Sequence, residues 1–408
     1  MIVRRCAAVL AAAAVIGAGA APAVAASPSP SPSKALPAGL FGTTDPTYDG
    51  VWRQSLALLA QHTVGVEPAA KAVDWLTGQQ CANGAFAAFR AEPAKACDAR
   101  TQVDTNSTAA AVQALAALGG HRAEVGKAVD WLKDNRNKDG GWGYSPGGAS
   151  DANSTSVVIG ALTAAGEKDL GPSYDALLTF SLPCDGEGAG AFAFQPDKKG
   201  KLTANADATA AGVLGALGQG LAAEAGRKKF NSCSDGGEPT PSRAAAHGAS
   251  YLAGAMAKDG HLVSALPGST DQPDYGNTAD AVVALAAQGG AARAAKPLAW
   301  LKENSAAWAK QNGPGAYAQL VFAAHATGTD PRHFGGQDLV SLLNATGPAP
   351  QKANTENTEN TGNTGKADKD EKKDEGGFGL YWFIGVCLVA GIGAGFLLSG
   401  RRKAGQRS

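Results

Sequence analysis

One short segment of this chain occurs twice, nearly letter for letter. Ala72-Val73-Asp74-Trp75-Leu76 leads to Asn83-Gly84-Ala85-Phe86, and Ala128-Val129-Asp130-Trp131-Leu132 leads to Asp139-Gly140-Gly141-Trp142. A chain made of copies of one unit must stack them so that each covers its neighbour's apolar face, which restricts the fold to a repeat architecture. Weaker copies follow: Leu177–Leu182 with Gly190-Ala191-Phe192, Ala249–Met256 with Asp259-Gly260-His261-Leu262, and Leu298–Leu301 with Gly313 to Tyr317. In each, Asn/Asp-Gly predicts the left-handed position that stops a helix, and the apolar residue after it packs back on that helix.

A second element alternates with the first. It opens on a polar cluster: Asp104-Thr105-Asn106-Ser107-Thr108, Asp151-Ala152-Asn153-Ser154-Thr155, Asn205-Ala206-Asp207-Ala208-Thr209, and Tyr275-Gly276-Asn277-Thr278-Ala279-Asp280. Each cluster runs into an Ala/Leu/Val segment that closes on Gly. These helices are apolar nearly all round, as buried helices are, whereas their partners carry Lys, Glu and Asp and belong outside. The first inner helix is expected over 48–61 and the last over 316–327. With Asn106, Asn153, Asn205 and Asn277 as equivalent markers, about six inner/outer pairs fit within residues 43–347, and Leu221–Pro241 is an insertion. The expected fold is all-α, an α/α toroid of about six helical hairpins. An open solenoid is the competing arrangement; it wets one face of inner helices that are too apolar for that.

The two ends read differently. Residues 1–26 have the form of a secretory signal, with Arg4-Arg5, an apolar run containing Cys6, and Ala23-Val24-Ala25 for cleavage. Residues 27–42 form a Pro/Ser-rich spacer. Residues 348–377 are rich in Asn, Thr, Glu, Lys and Asp, a composition expected for a disordered stalk. Residues 378–399 are uncharged and long enough to cross about 30 Å of hydrocarbon, which adds one C-terminal transmembrane helix. Arg401, Arg402, Lys403 and Arg407 in the tail at 400–408 place the C-terminus in the cytoplasm. The expected protein is a single-pass cell-membrane protein with its globular domain outside. With 36 Lys+Arg against 36 Asp+Glu, it lacks the basic excess of a nucleic-acid binder.

An extracellular domain favours disulfides. Cys81, Cys97, Cys184 and Cys233 allow three pairings, of which 81–97 with 184–233 closes short loops beside hairpin ends.

Trp75-Leu76 with Gln79, Gln80 and Gly84-Ala85-Phe86, and Trp131-Leu132 with Gly140-Gly141-Trp142, resemble degenerate squalene-oxidase repeats of the terpenoid cyclase and protein prenyltransferase superfamily. The resemblance covers roughly residues 45–345 and implies the toroid. Val103-Asp104-Thr105 before an Ala-rich helix is also similar to the cobalamin carriers related to intrinsic factor and transcobalamin. That second resemblance implies a cobalamin-type ligand; otherwise no cofactor is expected.

The chemistry of the first family is not legible here. The chain contains no Asp-x-Asp-Asp, Asp-Cys or Asp-Asp-x-x-Asp acid motif, and its six His (62, 121, 247, 261, 325, 333) show no zinc-ligand cluster with Asp and Cys. Cys81 is followed by Ala82-Asn83-Gly84, which rejects the Gly-Cys-Gly-Glu-Gln thioester. The polar clusters serve equally as helix N-caps or as a rim. If the inner helices run parallel, Asp104, Asn106, Asp151, Asn153, Asn205, Asp207, Asn277 and Asp280 line one mouth of a central cavity. Tyr275 and Tyr317 supply aromatic walls, with Trp142 and Trp52 as lesser candidates. The expected function is a non-catalytic, surface-anchored toroid that binds a small ligand there, a corrinoid or isoprenoid by resemblance, and hands it to a membrane transporter. The alternatives are a terpenoid- or polyprenyl-processing enzyme using an acid of the rim, and a protein-interaction surface.

Overall fold

The computed structural model describes residues 36–228, 233, 239–265 and 271–352. The expected signal, the spacer up to residue 35, the stalk from residue 353, the apolar run at 378–399 and the basic tail lie outside the described residues. Among the described residues, no helix is long and apolar enough to cross a membrane.

The described chain is mainly helical, with long connectors and few strands. In order it forms α1 (Gly50–Thr63), α2 (Ala70–Gly78), α3 (Thr105–Leu118), α4 (Arg122–Asp134), α5 (Ala152–Ala164), α6 (Gly171–Leu178) and α7 (Ala206–Ala216). There follow α8 (Pro241–Ala255), a two-residue antiparallel pair β1 (Leu262–Val263) and β2 (Pro273–Asp274), then α9 (Tyr275–Gly289) and α10 (Ala291–Asn304). The chain continues through α11 (Ala306–Asn312), α12 (Pro314–Ala326) and α13 (Leu339–Asn344).

The two helix classes separate as their side chains require. In α3 every residue from Thr105 to Leu115 is buried, whereas α4 buries only Ala128, Val129, Trp131 and Leu132. Helices α1, α3, α5, α7, α9 and α12 each pack on the next, and α12 packs on α1, so the contacts form a closed cycle. An open solenoid would keep its first and last inner helices apart. Helices α2, α4, α6, α8, α10 and α13 each pack against the inner helix that precedes them, with α11 intervening between α10 and α12.

The closure is built from the two ends of the described chain. Gly42 N donates to Thr346 O (2.8 Å), Gln61 Nε2 to Asn344 Oδ1 (2.7 Å), and Gln351 N to Glu67 O (3.0 Å). Leu40 and Phe41, at the end of the expected spacer, are buried here, and the Phe41 N–H donates to Gln54 Oε1 at 2.9 Å. Packed structure thus runs from Leu40 to Gln351.

The repeated glycines seat each hairpin on the next. Gly84 and Gly140 have φ of +94° and +92°, and a Cβ on either would collide with the carbonyl of Lys127 in α4 or of Pro172 in α6. The aromatic residue two positions on is core: Phe86 and Trp142 are at most 1% exposed. Trp142 Nε1 donates to Leu132 O at 2.7 Å. Trp142 is therefore packing rather than a cavity wall, because its one polar atom is spent on the preceding helix. Trp52 packs against the core partly buried.

Disulfides join Cys81 to Cys97 and Cys184 to Cys233, with Cα–Cα distances of 5.6 and 5.3 Å.

Candidate functional site: the N-terminal ends of the inner helices

The inner helices start at one end of the cycle. Val51 N of α1 donates to Ala88 O in the connector before α3 (2.8 Å). Thr105 N of α3 donates to Tyr144 O before α5 (2.8 Å), and Ala152 N of α5 to Phe194 O before α7 (3.0 Å). Near the starts of α9 and α12, Gln319 Nε2 donates to both carboxylate oxygens of Asp280, at 3.1 and 3.0 Å.

Each polar cluster carries two structural duties. The first is capping: Asp104, Asp151, Asn205 and Asp274 accept hydrogen bonds through their side chains from the backbone N–H of Ser107, Ser154, Ala208 and Asn277. The second belongs to the threonine four residues after each cap. The hydroxyls of Thr108, Thr155, Thr209 and Thr278 accept from the backbone N–H of Phe86, Trp142, Phe192 and Leu262, at 2.9 to 3.1 Å. Cap and threonine thus lock each inner helix to the aromatic or apolar residue of the connector that leads into it.

This register corrects the sequence alignment. Asn205 is a cap, Asn106 and Asn153 are the second residues of their helices, and Asn277 is the third. The equivalent of Asp104 in the fourth copy is Asp274, which the Asn-based alignment overlooked. The spacing Asp/Asn-x-x-x-Thr, common to all four copies, was the signal that could have found it. At the seam the threonine position holds Arg53 in α1, whose guanidinium is buried and bonds Thr44 and Asp49, and Tyr317 in α12. Tyr317 is 6% exposed and packs in the hydrophobic core cluster.

With the caps assigned, a smaller polar set remains. Asn106, Asn153 and Asp207 share one register on three successive helices. Asn153 Nδ2 donates to Asp207 Oδ2 at 2.7 Å, so this register faces across neighbouring helices. Asn153 Oδ1 and both amide atoms of Asn106 have no hydrogen-bond partner, although the two residues are 4% and 2% exposed. A buried amide left this way costs on the order of 1–3 kcal/mol, a cost that marks a site with another role. The same register in α9 and α12 is glycine. Gly315 is buried, yet a Cβ built on it would meet no atom within 4 Å. This register therefore carries polar side chains on three helices and glycine on two, of which Gly276 faces Trp308 and Gln319 and Gly315 faces open space.

The carboxylates here are held back from ionising. Burial pushes Asp104 and Asp151 up to about 6, against hydrogen bonds from Ser107 and Ser154 that favour the charge. Asp207 is raised to about 6, by burial first, then by repulsion from Asp274 and Asp151, with the Asn153 amide opposing. Asp280 reaches about 7, through burial and then the charge of Asp207, opposed by Gln319. Both residues nevertheless keep a minor part of their surface open to solvent. Asp151, Asp207, Asp274 and Asp280 form one electrostatically linked group.

An aromatic row abuts the start of α9. Tyr275 stacks on Trp308 (5.6 Å between ring centroids) and lies tilted against Trp300 (4.9 Å), which in turn meets His261 (4.4 Å). Trp308 reaches inward: its Cζ2, like the Gln319 amide, lies within 4 Å of where a Cβ on Gly276 would stand. Sequence reasoning named Tyr275 as a wall and Trp300 only as a repeat position, and it missed Trp308 and Gln319, which no repeat marks. Asn277 is turned to the cap, its Nδ2 donating to Asp274 Oδ2 at 2.8 Å.

Among the described residues, Cys184, Cys233 and His247 are the one Cys/His/carboxylate group close enough to hold a metal ion. The two sulfurs are bonded to each other, which removes them as thiolate ligands.

Neither a protein-family model nor a curated protein matches the chain. Solved structures similar to it include a protein from Actinoplanes (16% identity, TM-score 0.33, covering 67% of this chain and 100% of that one). The ent-copalyl diphosphate synthase from Streptomyces platensis is similar at 16% identity and TM-score 0.44, over 68% of this chain and 50% of the synthase. A sugar epimerase from a ruminal bacterium is similar at 15% identity and TM-score 0.44, over 65% of this chain and 80% of the epimerase. Likenesses at these scores carry no argument for function.

Proposed function

We propose that this chain is an α/α toroid that binds a small ligand at the N-terminal mouth of its inner helices, without acting on it. The observation that carries the proposal is Asn106, 2% exposed and with neither amide atom partnered, in the register of Asn153 and Asp207. A ligand offering both donors and acceptors would satisfy Asn106 and Asn153 Oδ1, and the Tyr275 row would flank it. The apparent secretory signal and the apolar run at 378–399 would place this mouth outside the cell, tethered to the membrane and able to serve a transporter. The two disulfides fit that oxidising compartment. The test is a thermal-shift and calorimetric screen of the purified protein against polar metabolites, corrinoids and isoprenoids. A binder whose affinity drops at least about tenfold in Asn106→Leu supports the proposal. A screen without binders, or binders indifferent to both Asn106→Leu and Asn153→Leu, refutes it.

One observation favours a second reading, an isoprenoid-processing enzyme that draws its proton from the rim. Asp280, raised to about 7, is protonated in good part near neutrality and so able to donate. Turnover of a polyprenyl or squalene-like substrate that disappears in Asp280→Asn would replace the binding proposal with this one.

A further inference from the structure

The opposite end of the helix cycle is closed differently. After α7 the chain does not turn back at once but crosses that end as a strap. Leu221 N donates to Gln113 Oε1 of α3 at 2.8 Å, and Gly226 N and Lys228 N donate to Ala286 O and Gln288 O of α9 at 2.9 and 3.0 Å. Between these anchors Glu224 Oε1 meets His325 Nε2 of α12 at 3.0 Å. The strap rides low because Gly160 of α5 has no side chain: a Cβ there would stand 2.8 Å from Gly220 Cα.

Under the strap lies a cleft of about 430 Å³, open to one side and lined by the strap and the last turns of α1, α3, α5 and α12. That volume falls in the range of small-molecule sites. Its lining is divided. Leu59, Ala116, Ala117, Ala164 and Ala222 give an apolar body. The ionisable groups are Glu224, His62 and His325, and none of the lining residues is Lys or Arg. Four helices end here, and each C-terminus carries the equivalent of about half a negative charge. The Glu224 carboxylate adds to that field, and only one histidine pairs with it.

We infer that this cleft is a second binding site, distinct from the N-terminal mouth, for a small organic cation: an ammonium group bonded to a compact apolar body. Its charge sits against Glu224 and the helix C-termini, and its carbon skeleton lies on the alanines. An anion meets the wrong sign of field there, and a neutral molecule of the same shape gains the apolar contact alone.

The experiment uses three probes of one shape in calorimetry and amide-resolved NMR on the full chain. They are choline, its uncharged carbon isostere 3,3-dimethylbutan-1-ol, and the anion 3,3-dimethylbutanoate. Choline is expected to bind at least about tenfold more tightly than the alcohol, and the carboxylate not to bind. Glu224→Gln, a change at an exposed side chain, should weaken choline about fivefold or more. Ala117→Phe, which fills the cleft from a half-exposed position, should abolish binding, and Asn106→Leu at the far mouth should leave it unchanged. The inference is overturned if choline binds no better than the alcohol, if binding survives Ala117→Phe, if Glu224→Gln leaves it intact, or if Asn106→Leu removes it. Absence of saturable choline binding at millimolar concentration overturns it as well. Circular dichroism on each variant separates loss of the site from loss of the fold.

Discussion

The side-chain amide of Asn153 donates to the carboxylate of Asp207 at 2.7 Å, joining two residues 54 apart in sequence at the starts of α5 and α7. This bond ties two neighbours of the helix cycle at the site itself, and it holds Asp207 where Asp151, Asp274 and Asp280 also gather. The polar rim is therefore a coupled unit whose charge state bears on the whole fold.

The rim should make the protein less stable as pH rises. An unfolded Asp ionises near 3.8, whereas folded Asp280 does so near 7. Between those values the folded state holds more protons than the unfolded one, so stability falls with rising pH and the penalty is complete above about pH 7. Asp280→Asn removes that penalty. It should stabilise the protein at about pH 8 by on the order of 1–3 kcal/mol and be nearly neutral at about pH 4, measured by urea melts. Equal destabilisation at both values would show that burial and repulsion do not govern this residue.

The threonine column should matter at every copy. Thr108→Val, Thr155→Val, Thr209→Val and Thr278→Val keep shape but strand the buried N–H of Phe86, Trp142, Phe192 or Leu262. Each is expected to cost about 1–3 kcal/mol in denaturant unfolding. Thr203→Val, at an exposed connector position, should stay within about 0.5 kcal/mol of wild type.

Glycines with the same backbone sign should separate by their surroundings. Gly140→Ala combines a φ of +92° with a collision against Pro172 O, and should cost about 2 kcal/mol or more. Gly65→Ala has a φ of +70° and nothing within 4 Å, so only the left-handed penalty of about 1 kcal/mol applies. Similar melting temperatures for the two variants would contradict the close seating of α6 on Gly140.

The longer disulfide should contribute more stability. Cys184–Cys233 spans 49 residues and Cys81–Cys97 spans 16. Loop-closure entropy assigns about 1 kcal/mol more to the former. Replacing each pair by serine and comparing unfolding free energies checks the order.

Local patterns were legible wherever a residue acts on its own neighbourhood. Asp139-Gly140 announced a left-handed glycine and Trp142 a residue packing back on the helix, and both are present. The glycine does not stop the helix, however: α4 already ends at Asp134, and Gly140 turns the connector beyond it. The unbroken apolar run of α3 announced burial on all sides. The favoured cysteine pairing is the one the structure contains. Less was legible at the rim, where Asp, Asn and Thr of one pentapeptide do different work. Asp104 is a cap, Thr108 a tie to Phe86, and Asn106 a group without a partner. Five adjacent polar letters look alike until the turn of the helix distributes them.

From sequence alone came the alternation of buried and exposed helices, the glycines that close α3 and α9, and the polar starts of the inner set, because each follows from helical periodicity and short-range capping. Tertiary structure decided the rest. It brought α12 against α1, set Asp207 beside Asn153 and Asp280 against Gln319, and laid the strap from Leu221 across Gly160 to close the far end. These pairings join residues tens to hundreds of positions apart. Their partners are chosen by which helix faces which, and no local pattern carries that information.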